Sequence, residues 1–273
     1  MSWLDVAKGD LPIRSELDVD GDRGSYLRWH TGRPKSLVFV HGGGAHAHWW
    51  DHLAPKFRDY DVVALDLLGH GDSDWRHDYS QDVWTRQIAA VVEHANFETK
   101  PIVIGHSLGG VLASLALHRY PDLASMLVVI DSALELPQRE GDYHRRLARH
   151  TPRIHSNDDP REKRFVLLPE QPLGERDVID HIAFFGGKPV PGGWQWKFDP
   201  RIFGLTPWKL GSVSCPAAII RGELSSVMSV EQAALFAKAL GNVTSTVTIP
   251  NAYHHVLIDQ PGALVAELAK LIA

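Results

Sequence analysis

The fold of this chain is decided by Gly105-His106-Ser107-Leu108-Gly109, which follows the apolar run Pro101-Ile102-Val103-Ile104. The apolar run predicts a buried strand, and the stretch from Val111 to Tyr120 predicts a helix that ends before Pro121. A serine between strand and helix, with a glycine two residues away on each side, is typical of a nucleophile elbow. The glycines allow backbones to approach closely around a strained serine, so its hydroxyl is expected to stand above the sheet edge.

Composition predicts a soluble globular protein. The chain has 273 residues, of which 44% are hydrophobic and 22% are charged, a balance typical of that class. The length suits one large α/β domain with an inserted subdomain. The net charge of -5 indicates no nucleic-acid partner and no anionic membrane. No apolar run is long enough to span a bilayer, and the first residues lack the pattern of a signal peptide.

The chain contains a single cysteine, Cys215, which has no partner for an internal disulfide. A reducing compartment, the cytoplasm, is therefore predicted. Cys215 precedes Pro216 at the start of an apolar run and is interpreted as a packed small residue rather than a nucleophile.

Apolar runs with the character of buried strands recur along the chain, with helical segments between them. Continuous runs, rather than alternating ones, indicate strands that are buried on both faces of a mostly parallel sheet. Two more alternating stretches, Ser15 to Asp20 and Tyr26 to His30, predict an antiparallel hairpin at the sheet edge. The continuous runs are 37–40, 62–65, 102–104, 126–130, 217–220 and 244–249.

The alternation of predicted strands and helices stops between residues 132 and 213, where charged residues, proline and glycine are frequent and no strong strand is predicted. Two amphipathic helices are expected there, from Arg161 to Leu168 and from Glu175 to Phe185. We interpret 132–213 as an inserted cap subdomain and 1–131 with 214–273 as the core. Most of its large aromatic side chains are expected to pack the cap against the core; they are Trp194, Trp196, Phe198 and Trp208.

Four motifs follow predicted strands in a fixed order: 41–44 (His-Gly-Gly-Gly), 66–73, the elbow at Ser107, and 251–255, which leads to 259–261. Together they closely resemble those of the α/β-hydrolase superfamily, over nearly the whole chain apart from the cap. The resemblance implies the α/β-hydrolase fold, a mostly parallel central sheet flanked by helices with an inserted helical cap. Its motifs are specific for the fold and much less specific for the substrate.

The elbow predicts Ser107 as a nucleophile, and a serine hydroxyl needs a base to accept its proton. The resemblance implies that His254 is this base, with the neighbouring His255 as the alternative. A developing oxyanion needs preorganised donors. The elbow supplies the backbone N–H of Leu108, and the resemblance implies the N–H of Gly43 as the second donor.

The acid of the expected triad departs from the common pattern. Most of the family carries it in a Gly-x-x-Asp turn, but this chain has Gly222-Glu223-Leu224-Ser225, and a serine cannot offset the charge of an imidazolium. Asp131, at the end of the strand after the elbow, is favoured because some branches of the family carry the acid there. Glu223 is the alternative acid, and Asp131 is also open to the interpretation of a simple capping residue.

The other histidines are assigned no chemistry. His41 and His106 are expected to brace turns through hydrogen bonds. His46, His48 and His52 share one loop and the helix after it, but their spacing lacks the carboxylate or cysteine partner typical of zinc sites. No metal and no cofactor are therefore predicted.

The sequence thus predicts a serine hydrolase that cleaves a carboxylic ester or lactone through an acyl-enzyme. The substrate is expected to be a small molecule with an apolar portion, and the pocket candidates are Gly44, His106, Trp194 and Trp196. Two alternatives stay open: a C–C bond or thioester hydrolase with the same triad, and a non-catalytic small-molecule receptor of the same fold.

Overall fold

The computed structural model describes residues 10–134, 152–156, 174–203 and 209–273. Within these ranges, eight strands form one sheet in the order β1-β2-β4-β3-β5-β6-β9-β10. The strands are β1 (Ile13–Val19), β2 (Asp22–Trp29), β3 (Lys35–Val40), β4 (Tyr60–Asp66), β5 (Ile102–His106), β6 (Met126–Ile130), β9 (Ala217–Gly222) and β10 (Val243–Ile249).

The sheet is mostly parallel, as predicted. Strands β4, β3, β5, β6, β9 and β10 pair in parallel, while β1 and β2 form an antiparallel hairpin at one edge and β2 pairs antiparallel with β4. The continuous apolar runs lie in the central strands, where every residue of β4 is buried. Burial on both faces explains why these strands do not alternate between apolar and polar residues.

Helices cover both faces of the sheet, and each face has its own apolar core. Helix α1 begins after Ser80, whose side chain accepts a hydrogen bond from the N–H of Val83. No helix in the described part of the chain is long and apolar enough to cross a membrane. In the described residues outside 174–203, the α-helices are α1 (Gln81–Ala95), α2 (Leu108–Arg119), α4 (Val230–Leu240), α5 (Val256–Asp259) and α6 (Pro261–Leu271).

The described segment 174–203 holds helix α3 (Arg176–Gly186), close to the predicted helix, and a hairpin of β7 (Gly187–Val190) and β8 (Gly193–Trp196). The expectation of no strong strand between 132 and 213 is wrong at this hairpin. Its four-residue strands are rich in glycine and proline, so local propensity does not reveal them. The predicted helix 161–168 and Trp208 lie outside the described residues.

Helix α2 approaches the sheet so closely that two positions have no room for a side chain. A Cβ added at Gly105 would lie 2.4 Å from the carbonyl oxygen of Gly109, and one at Gly109 would lie 2.3 Å from that of Val40. These obstacles are backbone atoms, which cannot rotate away as a side chain can. The helix therefore begins immediately after Ser107, three residues earlier than the predicted start.

Gly105→Ala is expected to lower the free energy of unfolding by about 3 kcal/mol or more, because the added methyl group overpacks fixed backbone. Urea denaturation measures this loss. Gly24→Ala is the matched control, since the atoms nearest to its Cβ would belong to the side chains of Leu17 and Val19 rather than to backbone. Equal losses in the two variants would contradict the close approach.

Candidate active site

Ser107 lies at the sharp turn between β5 and α2, with φ 53° and ψ -122°. A positive φ is strained for a residue with a Cβ, and such strain persists only where the surrounding structure imposes it. Here the N–H of Ser107 donates to the carbonyl of Ile130 at 2.9 Å, which ties the turn to the neighbouring strand β6. The side chain is half-buried, so its hydroxyl is held at the carboxyl end of the sheet.

His254 reaches Ser107 from the loop that follows β10. Its Nε2 lies 3.0 Å from Ser107 Oγ, and the side chain is 7% exposed. The backbone carbonyl of His254 accepts a hydrogen bond of 3.0 Å from Nε2 of His106. The predicted bracing histidine in the elbow thus fixes the loop that carries His254.

Asp131 follows the last residue of β6 and is fully buried, with φ 45°. Nδ1 of His254 donates to its Oδ1 at 2.8 Å, and the N–H of Gly222 donates to its Oδ2 at 2.7 Å. Because a carboxylate only accepts, the His254 proton lies on Nδ1, and Nε2 carries the lone pair that faces Ser107. The structure thus brings together the serine, histidine and aspartate that the sequence proposed for the site.

Glu223, the alternative acid, points elsewhere. It is exposed, and its Oε2 accepts a hydrogen bond of 3.0 Å from the N–H of Asn251. Ser225, at the position where the family pattern places aspartate, donates through Oγ to Oδ1 of Asp131 at 2.5 Å. Sequence reasoning missed this contact, although the serine in the Gly-x-x-Ser turn was its signal.

His255 is not the residue beside Ser107. It is 3% exposed, and its ring centroid lies 4.9 Å from that of His254 and 5.2 Å from that of Trp49. Burial, followed by the charges of His254 and His106, holds its pKa well below the usual value. A neutral, packed ring is therefore its state near neutral pH.

The turn after β3 lies directly beside the elbow. A Cβ at Gly42 would lie 3.1 Å from Cβ of Ser107, and one at Gly43 would lie 3.5 Å from Leu108 Cδ2. His41 fixes this turn: its Nδ1 donates to Gly42 O at 2.7 Å and its Nε2 accepts from the N–H of Leu67 at 3.0 Å. Burial, followed by the charge of His70, lowers the pKa of His41 to about 3.

The two N–H groups predicted to bind an oxyanion lie on these adjacent turns. Leu108 is the first residue of α2, where a helix leaves its N–H without an intrahelical partner. Phe203 packs against the other turn, since a Cβ at Gly43 would lie 3.0 Å from its ring. Phe203 is therefore an apolar residue beside the site that the sequence pattern did not reveal.

Of the pocket residues predicted from the sequence, Gly44 lies beside the elbow, whereas Trp194 and Trp196 lie in the inserted segment. Gly44 is buried at φ 74° in the same turn as Gly43. Trp194 and Trp196 lie on β8 and pack edge to face, with centroids 4.7 Å apart, and Trp194 stacks on His155 at 4.4 Å. These ring contacts lie within the inserted segment, whereas the sequence predicted that most of its aromatic residues pack the cap against the core.

One cluster contradicts the expectation that the histidines after β3 lack a carboxylate. Asp51 lies beside His48, with Oδ2 2.7 Å from His48 Nδ1, and the same oxygen lies 2.7 Å from Nε2 of His181 on α3. The three ligand atoms lie within 4.8 Å of one another. The missed partner His181 is 130 residues from Asp51, so no local spacing could reveal it.

Comparison with known proteins agrees with this architecture. The esterase Rv0045c of Mycobacterium tuberculosis is 29% identical over 254 residues, which cover 88% of this chain and 83% of that protein. A solved structure of the same esterase has a TM-score of 0.80 at 25% identity and covers 98% of this chain and 95% of that chain. The structure of E-2-(acetamidomethylene)succinate hydrolase, at 22% identity, has a TM-score of 0.81 over 96% of this chain and 99% of that chain.

A family model described as the alpha/beta hydrolase family matches residues 37–268, well over half of the sequence. The matched stretch includes the turn after β3, the elbow, the end of β6 and the loop after β10. The chain therefore belongs to the alpha/beta hydrolase family.

Proposed function

We propose that the protein is a serine hydrolase that cleaves a carboxylic ester or lactone of a small molecule. The observation that carries the proposal is the chain of contacts from Ser107 Oγ to His254 Nε2, at 3.0 Å, and from His254 Nδ1 to Asp131 Oδ1, at 2.8 Å. A nucleophile, a base and an orienting acid in this order form the arrangement used for acyl transfer. The likeness to an esterase across most of both chains supports an ester as the substrate class.

In the proposed reaction, Ser107 Oγ attacks the acyl carbon while His254 Nε2 takes the hydroxyl proton. The imidazolium then carries a proton on each nitrogen, and Asp131 offsets its charge through the bond to Nδ1. The proton on Nε2 passes to the leaving oxygen, which leaves the acyl group on Ser107. Water, deprotonated by the same nitrogen, releases the acid and restores the serine.

The backbone N–H groups of Gly43 and Leu108 are the proposed donors to the oxyanion. Each such donor typically supplies about 3 kcal/mol of transition-state stabilisation. Because they belong to turns fixed by His41 and by the glycine contacts of the elbow, they need no reorganisation when charge develops. Phe203 lies against Gly43 and offers apolar surface to the apolar portion of the substrate.

The acid is held by two donors besides His254. Gly222 N–H binds Oδ2 of Asp131, and Ser225 Oγ binds Oδ1, the oxygen that faces the imidazole. A fully buried carboxylate is costly unless its oxygens accept hydrogen bonds. We therefore assign Ser225 the role of a positioning residue, which fixes the orientation of Asp131 toward His254.

A fluorophosphonate probe is expected to label the wild-type protein on Ser107, as located by mass mapping. Ser107→Ala should abolish labelling and lower kcat for a short-chain p-nitrophenyl ester by at least about four orders of magnitude. Ser125→Ala is the matched control, since Ser125 precedes β6, at the opposite end of the strand from Asp131, and its Oγ donates to Pro101 O.

The wild-type protein also distinguishes the ester or lactone hydrolase from a C–C bond or thioester hydrolase and from a non-catalytic receptor. A panel of esters, lactones, thioesters and ring-cleavage products identifies the bond that is cleaved fastest. Tight binding of a ligand without acylation of Ser107 would indicate a receptor and would overturn the proposed hydrolase.

Asp131→Asn is expected to lower kcat by about four orders of magnitude, because the amide cannot offset the imidazolium charge and favours the wrong tautomer. Glu223→Gln should leave kcat within about twofold, since the exposed Glu223 carboxylate accepts from the Asn251 N–H and not from His254. Steady-state kinetics on the best ester of the panel checks both. The reverse pattern would transfer the role of the acid to Glu223.

A carboxylate introduced at position 225 is expected to replace Asp131. Ser225 Oγ lies 2.5 Å from the oxygen that binds His254, so a slightly longer acidic side chain reaches the same ring nitrogen. Ser225→Asp in the Asp131→Asn background should restore kcat at least about tenfold, or about 1.4 kcal/mol of the lost barrier. Ser225→Asn in the same background is the uncharged control, and equal kcat in the two double variants would contradict the expected geometry.

A further inference from the structure

Three side chains outside the proposed catalytic groups form a compact cluster between the core and helix α3. His48 lies on the 3-10 helix Ala47–Trp50 and Asp51 directly follows that helix, whereas His181 lies on α3. His48 and Asp51 are 7% and 5% exposed, and the side chain of His181 is 23% exposed. The proposed mechanism uses none of these groups.

The arrangement leaves one oxygen of a buried carboxylate without a partner. Both imidazoles donate to Oδ2 of Asp51, while Oδ1 has no hydrogen-bond partner among the described residues. A buried carboxylate oxygen without a donor is costly, so such an atom calls for an explanation. A cation held between the carboxylate and the two rings would satisfy it.

We propose that His48 Nδ1, His181 Nε2 and the Asp51 carboxylate bind a divalent transition-metal ion, with Zn²⁺ as the best match. Two imidazoles and one carboxylate are a donor set that such ions prefer over Mg²⁺ or Ca²⁺. Three protein ligands leave the fourth coordination position of a tetrahedral ion for water. Water can reach it because the side chain of His181 is partly exposed.

The two nitrogen–oxygen distances of the cluster are shorter than those between ligands of a bound metal. With bonds of about 2.0–2.1 Å, tetrahedral ligand atoms lie about 3.4 Å apart. The two N–O pairs, at 2.7 Å each, must therefore open by about 0.7 Å when a metal binds. Both rings carry a proton on the bonding nitrogen in their present hydrogen bonds, and metal binding moves each proton to the other ring nitrogen.

The charges around the cluster are mixed. Burial works to raise the pKa of Asp51, but the hydrogen bonds from His181 and His48 hold that pKa below its usual value, so the carboxylate is ionised. Arg14 opposes a cation: its Nη2 donates to His48 Nε2 at 3.3 Å. Arg14 is partly exposed and already pairs with Asp72, so its guanidinium can leave the ring without losing that ion pair.

The elements that hold the three ligands are already joined, which preorganises the site. The N–H of Ala47 donates to the buried Asp66 at 2.7 Å, and His46 Nε2 donates to the carbonyl of Ile182 at 3.0 Å. The ring of His48 also stacks on Phe185 at 3.9 Å. A bound ion would fasten α3 to the loop that follows Gly44.

The test is a titration of the metal-stripped, tag-free full chain with ZnCl₂ by calorimetry and with CoCl₂ by visible absorption. Wild type is expected to bind one ion and to show the d–d bands of low-coordinate Co²⁺. His181→Ala and the milder His181→Gln should weaken binding at least about tenfold, or about 1.4 kcal/mol. Zn²⁺ should raise the melting temperature of wild type and not that of either variant.

His254→Ala is the matched control, because the imidazole of the proposed catalytic site also has a metal-binding nitrogen. Binding unchanged in His254→Ala and weakened in both His181 variants supports the proposed site. Loss in His254→Ala with retention in the His181 variants would overturn it, as would the absence of binding to wild type. Melting of the metal-free variants reports whether each is folded.

Discussion

The close contact between helix α2 and the strands beneath it is the constraint on which the rest of the structure depends. Gly109 lies against the backbone of Val40, and Gly105 lies against that of Gly109, with no space for a Cβ at either position. The chain must therefore turn from strand to helix within one residue, which places Ser107 at a positive φ. The ends of β3, β6 and β10 converge on this turn because parallel strands present their carboxyl ends at one edge of the sheet.

The proposed acid, Asp131, is held by groups from two neighbouring segments of the sheet edge. Asp131 directly follows β6, while the adjacent strand β9 supplies Gly222 N–H and the turn after β9, where the family pattern places the acid, supplies the Ser225 hydroxyl. One donor from β9, one from the turn after it and one from His254 compensate the burial of the carboxylate. The substitution of serine for aspartate in the Gly-x-x-Asp turn thus accompanies a carboxylate on the next strand, and together they keep one negative charge near the imidazole.

The histidines around the site differ in their electrostatic state as well as in their contacts. Burial holds the pKa values of His41, His106 and His255 below the usual value for histidine. These rings are therefore neutral near neutral pH and serve as hydrogen-bonding or packing groups. Their neutrality matters for His254, because a second positive charge beside it would raise the free energy of the imidazolium that forms during the proposed reaction.

The sequence by itself determined the apolar strands of the core sheet, the strand–turn–helix around Ser107 and the family, because apolar runs and glycine spacings depend on neighbours along the chain. Only the tertiary structure showed that Asp131, and not Glu223, contacts His254. It also showed that Ser225 donates to Asp131 and that Phe203 lies beside Gly43. It also revealed the hairpin of β7 and β8, whose glycines and proline have weak strand propensity, and brought His181 to Asp51. These features depend on contacts between distant segments, and a side chain's direction at such a contact is set by the packing of whole elements rather than by the residues beside it.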